Sequence, residues 1–130
     1  MISMKKISRR ETMQRKIILE ELMKVKTHPN ANEVYGLVKR KIPSISFATV
    51  YRNLKLLRDA GKIIELDGGR FRRYDGNPEN HYHFSCTKCN KMFDIKENVD
   101  SKIDKKISRL TAFKVFYHNT VFFGLCKRCR

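Results

Sequence analysis

No stretch of this 130-residue chain stays apolar for long. The longest such run, around Val121–Cys126, is far short of the ~20 residues that cross a bilayer as a helix, and the basic N-terminus has no apolar segment behind it. A membrane-spanning or secreted protein is not expected; the chain reads as soluble and cytoplasmic. Acidic residues are scarce as well, with 13 Asp and Glu against 29 Lys and Arg. Cysteine is limited to four residues, all of them in two Cys-x-x-Cys pairs. Aromatic residues make up 10% of the chain, enough to close modest cores rather than one large one. The length suits one domain or two very small ones sharing a hinge, and excludes a large multidomain enzyme.

Positive charge is what the chain has in excess: the formal net charge is +16. Each phosphate neutralised by Lys or Arg releases condensed counterions, so such an imbalance favours a polyanionic partner. Nucleic acid leads, with an anionic membrane surface behind it. Up to Asp75 there are 18 basic and 8 acidic residues, and beyond it 11 and 5, so both halves are basic and the first more so.

The N-terminal half reads as a string of short helices. Met1–Arg10 is basic, poor in apolar residues and without period, which predicts a flexible arm. From Glu11 to Lys26, Met13, Ile17, Ile18, Leu22 and Val25 recur every three to four residues and form one buried helical stripe. His28-Pro29-Asn30 breaks that helix, and Asn30 or Asn32 can cap a second one carrying Val34, Leu37 and Val38 to about Lys41. Pro43 and Ser46 introduce a third, Phe47–Ala60, ended by Gly61. Its inward stripe is Val50, Leu54 and Leu57. The opposite face carries Ala48, Arg52, Lys55 and Asp59, with Thr49 and Tyr51 at its shoulders. Lys62–Leu66, the turn Asp67-Gly68-Gly69 and Arg70–Tyr74 then form a basic β-hairpin. Three helices and a hairpin make a winged helix-turn-helix. In that arrangement the third helix enters the major groove, with Thr49, Tyr51, Arg52 and Lys55 as candidate DNA contacts and Arg70 and Arg72 of the wing holding phosphates.

The C-terminal half carries the metal chemistry. Cys86-x-x-Cys89 and Cys126-x-x-Cys129 are spaced so that two knuckles close a tetrahedral four-thiolate shell, the arrangement of structural zinc. With no open position, that ion holds structure. Disulfides or a redox dithiol are the rivals, disfavoured in a chain without a secretion signal. His81 and His83, two apart on a strand, point to the same side. With Asp75 upstream and Asp94 on the next strand, Met92–Ile95, they offer nitrogen and oxygen ligands suited to Fe(II), Mn(II) or Zn(II). Val99, Ile103, Ile107 and Leu110 are spaced for a helix, and Phe113–Leu125 for two further strands. So small a unit needs a partner to bury its helix and sheet edges, and a homodimer would place two reading helices on a two-fold symmetric operator. The expected organisation is α+β: a winged helix-turn-helix DNA-binding domain over 1–75 and a small α/β metal-binding dimerisation domain over 76–130.

Three motifs together carry a resemblance: Ala48-Thr49-Val50-Tyr51-Arg52-Asn53-Leu54, His81-x-His83-x-x-Cys86-x-x-Cys89, and Gly124-Leu125-Cys126-x-x-Cys129. In order and separation they resemble the ferric uptake regulator family. The resemblance implies a dimeric, metal-dependent transcriptional regulator, a repressor by expectation, that binds a palindromic double-stranded DNA operator. For the family's peroxide-responsive branch it implies a regulatory Fe(II) or Mn(II) bound by His28, Asp75, His81, His83 and Asp94, bridging the two domains through His28. At the last position the iron-responsive branch usually has Glu, and Glu97 is too far along to substitute. The same resemblance implies that peroxide acting on the iron form oxidises His28 or His81 and releases metal and operator. The alternative is a regulator of iron or manganese homeostasis without peroxide sensing. A zinc sensor would be expected to use a thiolate in its sensing site, and here all four cysteines are already committed. Many relatives carry an extra metal site; here its alternate positions are Tyr82 and Phe84 and no acid is evident around Ser101, so that site is expected to be missing or degenerate and His118 to be a strand-surface histidine. An enzyme is not expected, because five protein ligands leave little room for substrate and activated water and no separate general base is apparent.

Overall fold

The computed structural model describes residues 8–130. The expected arm Met1–Arg10 therefore lies mostly outside the described residues, and its last two, Arg9 and Arg10, are helical. The chain forms two compact units: the residues up to Asp67 together with Phe71–Pro78, and Gly68–Arg70 together with Glu79–Arg130. The architecture is α+β.

In the first unit, α1 (Arg9–Lys24) starts where the Ser8 side chain accepts the N–H of Glu11 at 3.1 Å. Ile18 and Leu22 are buried as the stripe predicted, but Met13 is 51% exposed and Gln14 is buried in its stead. α2 (Ala31–Lys39) opens with a capping box. Asn30 Oδ1 accepts the Glu33 N–H at 2.9 Å, and Glu33 Oε1 accepts the Asn30 N–H at 3.2 Å, so two orphan donors are satisfied reciprocally. α3 (Phe47–Asp59) is capped by Ser46 and followed by Gly61 at φ 72°, a left-handed position that glycine fills without strain. Val34 and Val38 of α2 and Val50, Leu54 and Leu57 of α3 meet Ile18, Leu22, Ile45, Ile63 and Tyr74 in one core. Full burial of each large aliphatic chain contributes roughly 1.5–3 kcal/mol.

The hairpin pairs β1 (Ile64–Asp67) with β2 (Arg72–Asp75), antiparallel, with Ile64 opposite Asp75 and Asp67 opposite Arg72. Its loop is Gly68–Phe71 rather than the shorter Asp67–Gly69 turn, which moves the return strand later than expected. Glu65 anchors the hairpin: Tyr74 donates its hydroxyl to Glu65 Oε1 at 3.3 Å, and Arg58 of α3 donates to Glu65 Oε2. Burial, reinforced by the Glu65 charge, pushes the Tyr74 phenol up to about 12.

In the second unit, β3 (Tyr82–Cys86) is central, antiparallel to β4 (Met92–Ile95) and parallel to β5 (Val121–Gly124). α4 (Ser101–Thr111) lies within the crossover that a parallel pair requires. Phe113–Leu125 yields one strand, not two. β4 occupies one edge of β3, and the edge that remains accepts a single partner. α4 buries none of its residues; Ile103, Ile107 and Leu110 are exposed. Among the described residues no helix is long and apolar enough to cross a membrane.

One close approach in the first unit yields a prediction. A Cβ on Gly76 would lie 3.0 Å from Met23 Cα and 3.1 Å from the Leu22 carbonyl, backbone atoms that cannot move aside cheaply. Gly76→Ala should destabilise the first unit by roughly 1–3 kcal/mol, the usual cost of overpacking. Leu54→Ala should cost about 2–5 kcal/mol through the cavity it leaves. Urea denaturation followed by helical circular dichroism reads both; an unchanged midpoint for Gly76→Ala would show that the contact does not matter.

Candidate metal centres and nucleic-acid interface

The four cysteine sulfurs are brought together by backbone turns at two strand ends. Cys86 ends β3 and Cys126 follows β5, and the Thr87 N–H donating to the Gly124 carbonyl at 2.8 Å extends the parallel pairing between them. Asn90, at φ 61°, closes the first knuckle, its N–H donating to the Cys86 carbonyl at 2.9 Å. All four ligand atoms lie within 4.8 Å of one another, and no disulfide joins them. Cys89 Sγ and Cys126 Sγ are 3.9 Å apart. A tetrahedral ion with bonds of ~2.3 Å sets its sulfurs ~3.8 Å apart, so the spacing fits zinc.

The local electrostatics prepare that shell. The backbone N–H groups of Cys89 and Cys126 reach Cys86 Sγ at 3.5 Å, and chiefly these hydrogen bonds bring its thiol down to about 6. The backbone of Cys129 likewise lowers Cys126. Cys129 is raised to about 12, first by its side-chain hydrogen bond with Cys126. Negative charge thus gathers among the sulfurs, and the proton held longest is the one a cation displaces.

The nitrogen and oxygen ligands form two groups, one in each unit. In the first, His28 is buried, with its Nε2 3.3 Å from Asp75 Oδ2. The break before α2 places it there, at φ 53°, a left-handed conformation uncommon for a residue with a side chain. Asp75 ends β2, and its other oxygen accepts the Asn77 N–H at 2.9 Å. In the second unit, His81 Nε2 and His83 Nε2 converge on a single oxygen, Asp94 Oδ1, at 3.0 and 3.2 Å. Cross-strand pairing of His83 with Asp94 sets this up. Ligands at right angles on bonds of ~2.1 Å are ~3.0 Å apart, so each group fits the edges of a metal's coordination sphere. His81 supplies a further test of fit. Its Nδ1 is 2.6 Å from the Glu79 carbonyl, an acceptor only, so Nδ1 carries a proton. Nε2 is thereby turned toward the Asp94 carboxylate, the orientation in which the ring can serve a metal through that nitrogen.

His118 departs from expectation. It lies outside any strand, half-buried, between β3 and α4. Tyr82 Oη accepts the Asp100 N–H at 2.9 Å and lies 3.0 Å from His118 Nε2. His118 Nδ1 in turn donates to Asp104 Oδ1 at 2.7 Å. The acid absent around Ser101 is supplied three residues later. Both ring nitrogens of His118 and the Tyr82 hydroxyl thus have protein partners. Sequence reasoning missed Asp104; its spacing from Ile103 and Ile107 was the available signal that it lies off the apolar stripe.

The candidate DNA contacts lie in the first unit, except Arg70, which belongs with the second. Arg52, Lys55, Arg70 and Arg72 are exposed. Tyr51 is exposed and stacks on Phe47 with ring centres 6.0 Å apart, while Lys55 Nζ lies 4.7 Å from its ring centre. Tyr35 meets Phe47 edge-on at 5.8 Å. Neither Tyr35 nor Phe47 was singled out in the sequence, because periodicity cannot show an aromatic row shared by two helices. Thr49 is only half-exposed, and its hydroxyl is engaged with Ser46 Oγ at 2.8 Å in the helix cap.

Comparison with known proteins agrees with this geometry. The model of the ferric uptake regulator family matches residues 6–123. The chain is 36% identical over 129 residues to a peroxide-responsive repressor, PerR, of Staphylococcus epidermidis, covering 98% of this chain and 86% of that protein. It is similar in structure to the Campylobacter jejuni peroxide stress regulator, with a TM-score of 0.80 at 32% identity, over 92% of this chain and 91% of that one. The Helicobacter pylori ferric uptake regulator Fur, described as having three functional metal binding sites, is similar with a TM-score of 0.76 at 25% identity, over 95% and 81% of the two chains.

The sulfur geometry predicts that Cys126→Ser protein will lose the tightly held metal that the unaltered chain carries, and with it much of the stability of the second unit. Elemental analysis after exhaustive dialysis, beside thermal unfolding, reads both effects. Full metal retention in that variant would rule out a four-sulfur shell.

Proposed function

The chain belongs to the ferric uptake regulator family, and from that premise we propose that this metal-dependent regulator is a cytoplasmic, DNA-binding repressor that senses peroxide through oxidation of a ligand histidine. The observation that carries the reading is Asp94, an aspartate, at the point where His81 and His83 converge. Sequence likeness to peroxide-responsive repressors along almost the whole chain supports it. In this reading Cys86, Cys89, Cys126 and Cys129 hold a structural Zn(II). His28 and Asp75, with His81, His83 and Asp94, hold one regulatory Fe(II) or Mn(II). Ligands drawn from both units make occupancy a lever on domain geometry and so on operator affinity.

The chain's own residues define what each part does. His81 Nδ1 is fixed by the Glu79 carbonyl, which presents Nε2 as the ligating atom. His28 is held buried at the start of α2. When bound, Fe(II) supplies the redox chemistry that lets peroxide oxidise a nearby imidazole. The balance for the ring is one imidazole and one hydrogen peroxide giving one 2-oxo-imidazole and one water, and the oxidised ring is a poorer ligand. On DNA, Tyr51 and Arg52 are the base-reading candidates, Thr49 and Lys55 lie beside them, and Arg70 and Arg72 take phosphates. Family members are dimeric, and the exposed stripe of α4 suits a second copy. Two copies would present paired α3 helices to a palindromic operator.

Peptide mass spectrometry on protein loaded anaerobically with Fe(II) and given a low dose of hydrogen peroxide tests the reading, with a Mn(II) sample beside it. One added oxygen is expected on the His28 or His81 peptide with iron and none with manganese. Unmodified histidines in fully iron-loaded protein would sink peroxide sensing and leave an iron- or manganese-responsive regulator. A second expectation concerns DNA: Arg52→Ala should relax specificity at one operator position by roughly 1–3 kcal/mol. Equal loss of affinity on all sequences would make Arg52 a phosphate contact.

A further inference from the structure

The wing carries three arginines, Arg70 in its loop and Arg72 and Arg73 on its return strand, and they do not share one environment. Arg70 and Arg72 are exposed, whereas Arg73 is turned inward, its side chain 11% accessible. Its Nη1 donates to the His28 carbonyl at 3.0 Å and lies 3.8 Å from Glu33 Oε1. The next residue repeats the connection, since the Tyr74 N–H donates to the Pro29 carbonyl at 2.9 Å. Consecutive residues of β2 thus fasten consecutive residues of the loop before α2. The residue after them on the strand is Asp75, whose carboxylate faces His28 Nε2 at 3.3 Å. The fastened loop needs a fastening: His28 sits at φ 53°, a conformation that persists in a residue with a side chain only when its surroundings hold it.

We infer that Arg73 is a positioning residue for the regulatory metal, holding the His28 carbonyl so that the His28 and Asp75 side chains stay paired, and tying that pair to the wing strand on which Arg72 meets phosphate. The inference rests on the reading of His28 and Asp75 as ligands. It divides the wing's arginines into two jobs. Arg72, outward, contributes to DNA affinity on any sequence; Arg73, with its guanidinium occupied inside the unit, contributes nothing directly to phosphate binding and acts through ligand placement. A guanidinium suits this task, because its fixed fork can serve a carbonyl while the neighbouring Glu33 carboxylate balances its charge.

Mn(II) titration of zinc-loaded protein and DNA-binding assays across a salt series separate these jobs. Arg73→Gln should weaken Mn(II) binding about 10- to 100-fold, the usual effect of removing an outer-shell partner. It should leave zinc content and the salt dependence of metal-free DNA binding as in the unaltered chain. Arg73→Lys, which keeps a donor and the charge, should recover part of the affinity, and it serves as the test if the Gln variant does not fold. Arg72→Gln should do the reverse, reducing the salt slope by about 1 while Mn(II) affinity stays put. Wild-type Mn(II) affinity in both Arg73 variants, or a salt slope reduced in Arg73→Gln as in Arg72→Gln, would overturn the inference. Failure of the underlying reading looks different: His28→Ala would then bind Mn(II) as tightly as the unaltered chain.

Discussion

The second unit has very little core, and that scarcity sets the terms for everything it carries. Its buried apolar side chains are Tyr82, Cys86 and Met92, against ten in the cluster of the first unit. The helix α4 contributes none. A three-stranded sheet with one parallel edge is a weak structure to hold with three side chains, since parallel pairing closes a long loop and recovers nothing until the strands meet. The sulfurs act at that weak point. Cys86 and Cys126 lie at adjoining ends of β3 and β5, so an ion shared between the knuckles pins the parallel register and closes the crossover in one step. Metal binding then supplies folding free energy that apolar burial does not.

Once β3 is pinned, strand alternation sorts its residues into separate functions. His83 faces Asp94 across the antiparallel pair, and His81, two residues before it, points the same way. Tyr82 points to the other face, where it meets Asp100 and His118 and so connects β3 to the start of α4 and the segment after it. One strand therefore presents ligands on one side and is braced on the other. The brace is a chain of hydrogen bonds running from Asp100 through Tyr82 and His118 to Asp104, and a polar network of this kind holds a single geometry where a greasy contact would tolerate several.

Most of this was readable from residue order because it depends on period and spacing. The apolar stripes of α2 and α3, the Asn30 and Ser46 caps, the paired cysteine knuckles and the same-side histidines are all local patterns, and local patterns survive without knowledge of partners. The misses share a different cause. Met13 against Gln14 is a small phase error in α1, which the neighbouring helices decide. Thr49 is a DNA-contact candidate by its place on the helix, although a serine three residues earlier engages its hydroxyl in the cap. The expected second strand within Phe113–Leu125 failed on how many sheet edges exist, a property of the whole sheet. His118 was read as surface because its partners, Tyr82 and Asp104, are 36 and 14 residues away.

In the proposed reading, the division of ligands between two units has an energetic consequence. A group of two or three ligands already assembled within one unit costs little to organise, so the ion's binding free energy is not consumed in collecting them. What remains would be available to bias the protein toward the form that binds DNA. Converting a population from mostly incompetent to mostly competent takes a differential affinity of ~10⁴, or ~5.5 kcal/mol. In the proposed reading, an ion that finds His81, His83 and Asp94 in one unit and His28 and Asp75 in the other would gain that difference from the second group alone. Loss of one imidazole from either side would remove a large share of it, and in the proposed mechanism a single oxygen atom added to a ring would then be enough chemistry to release DNA.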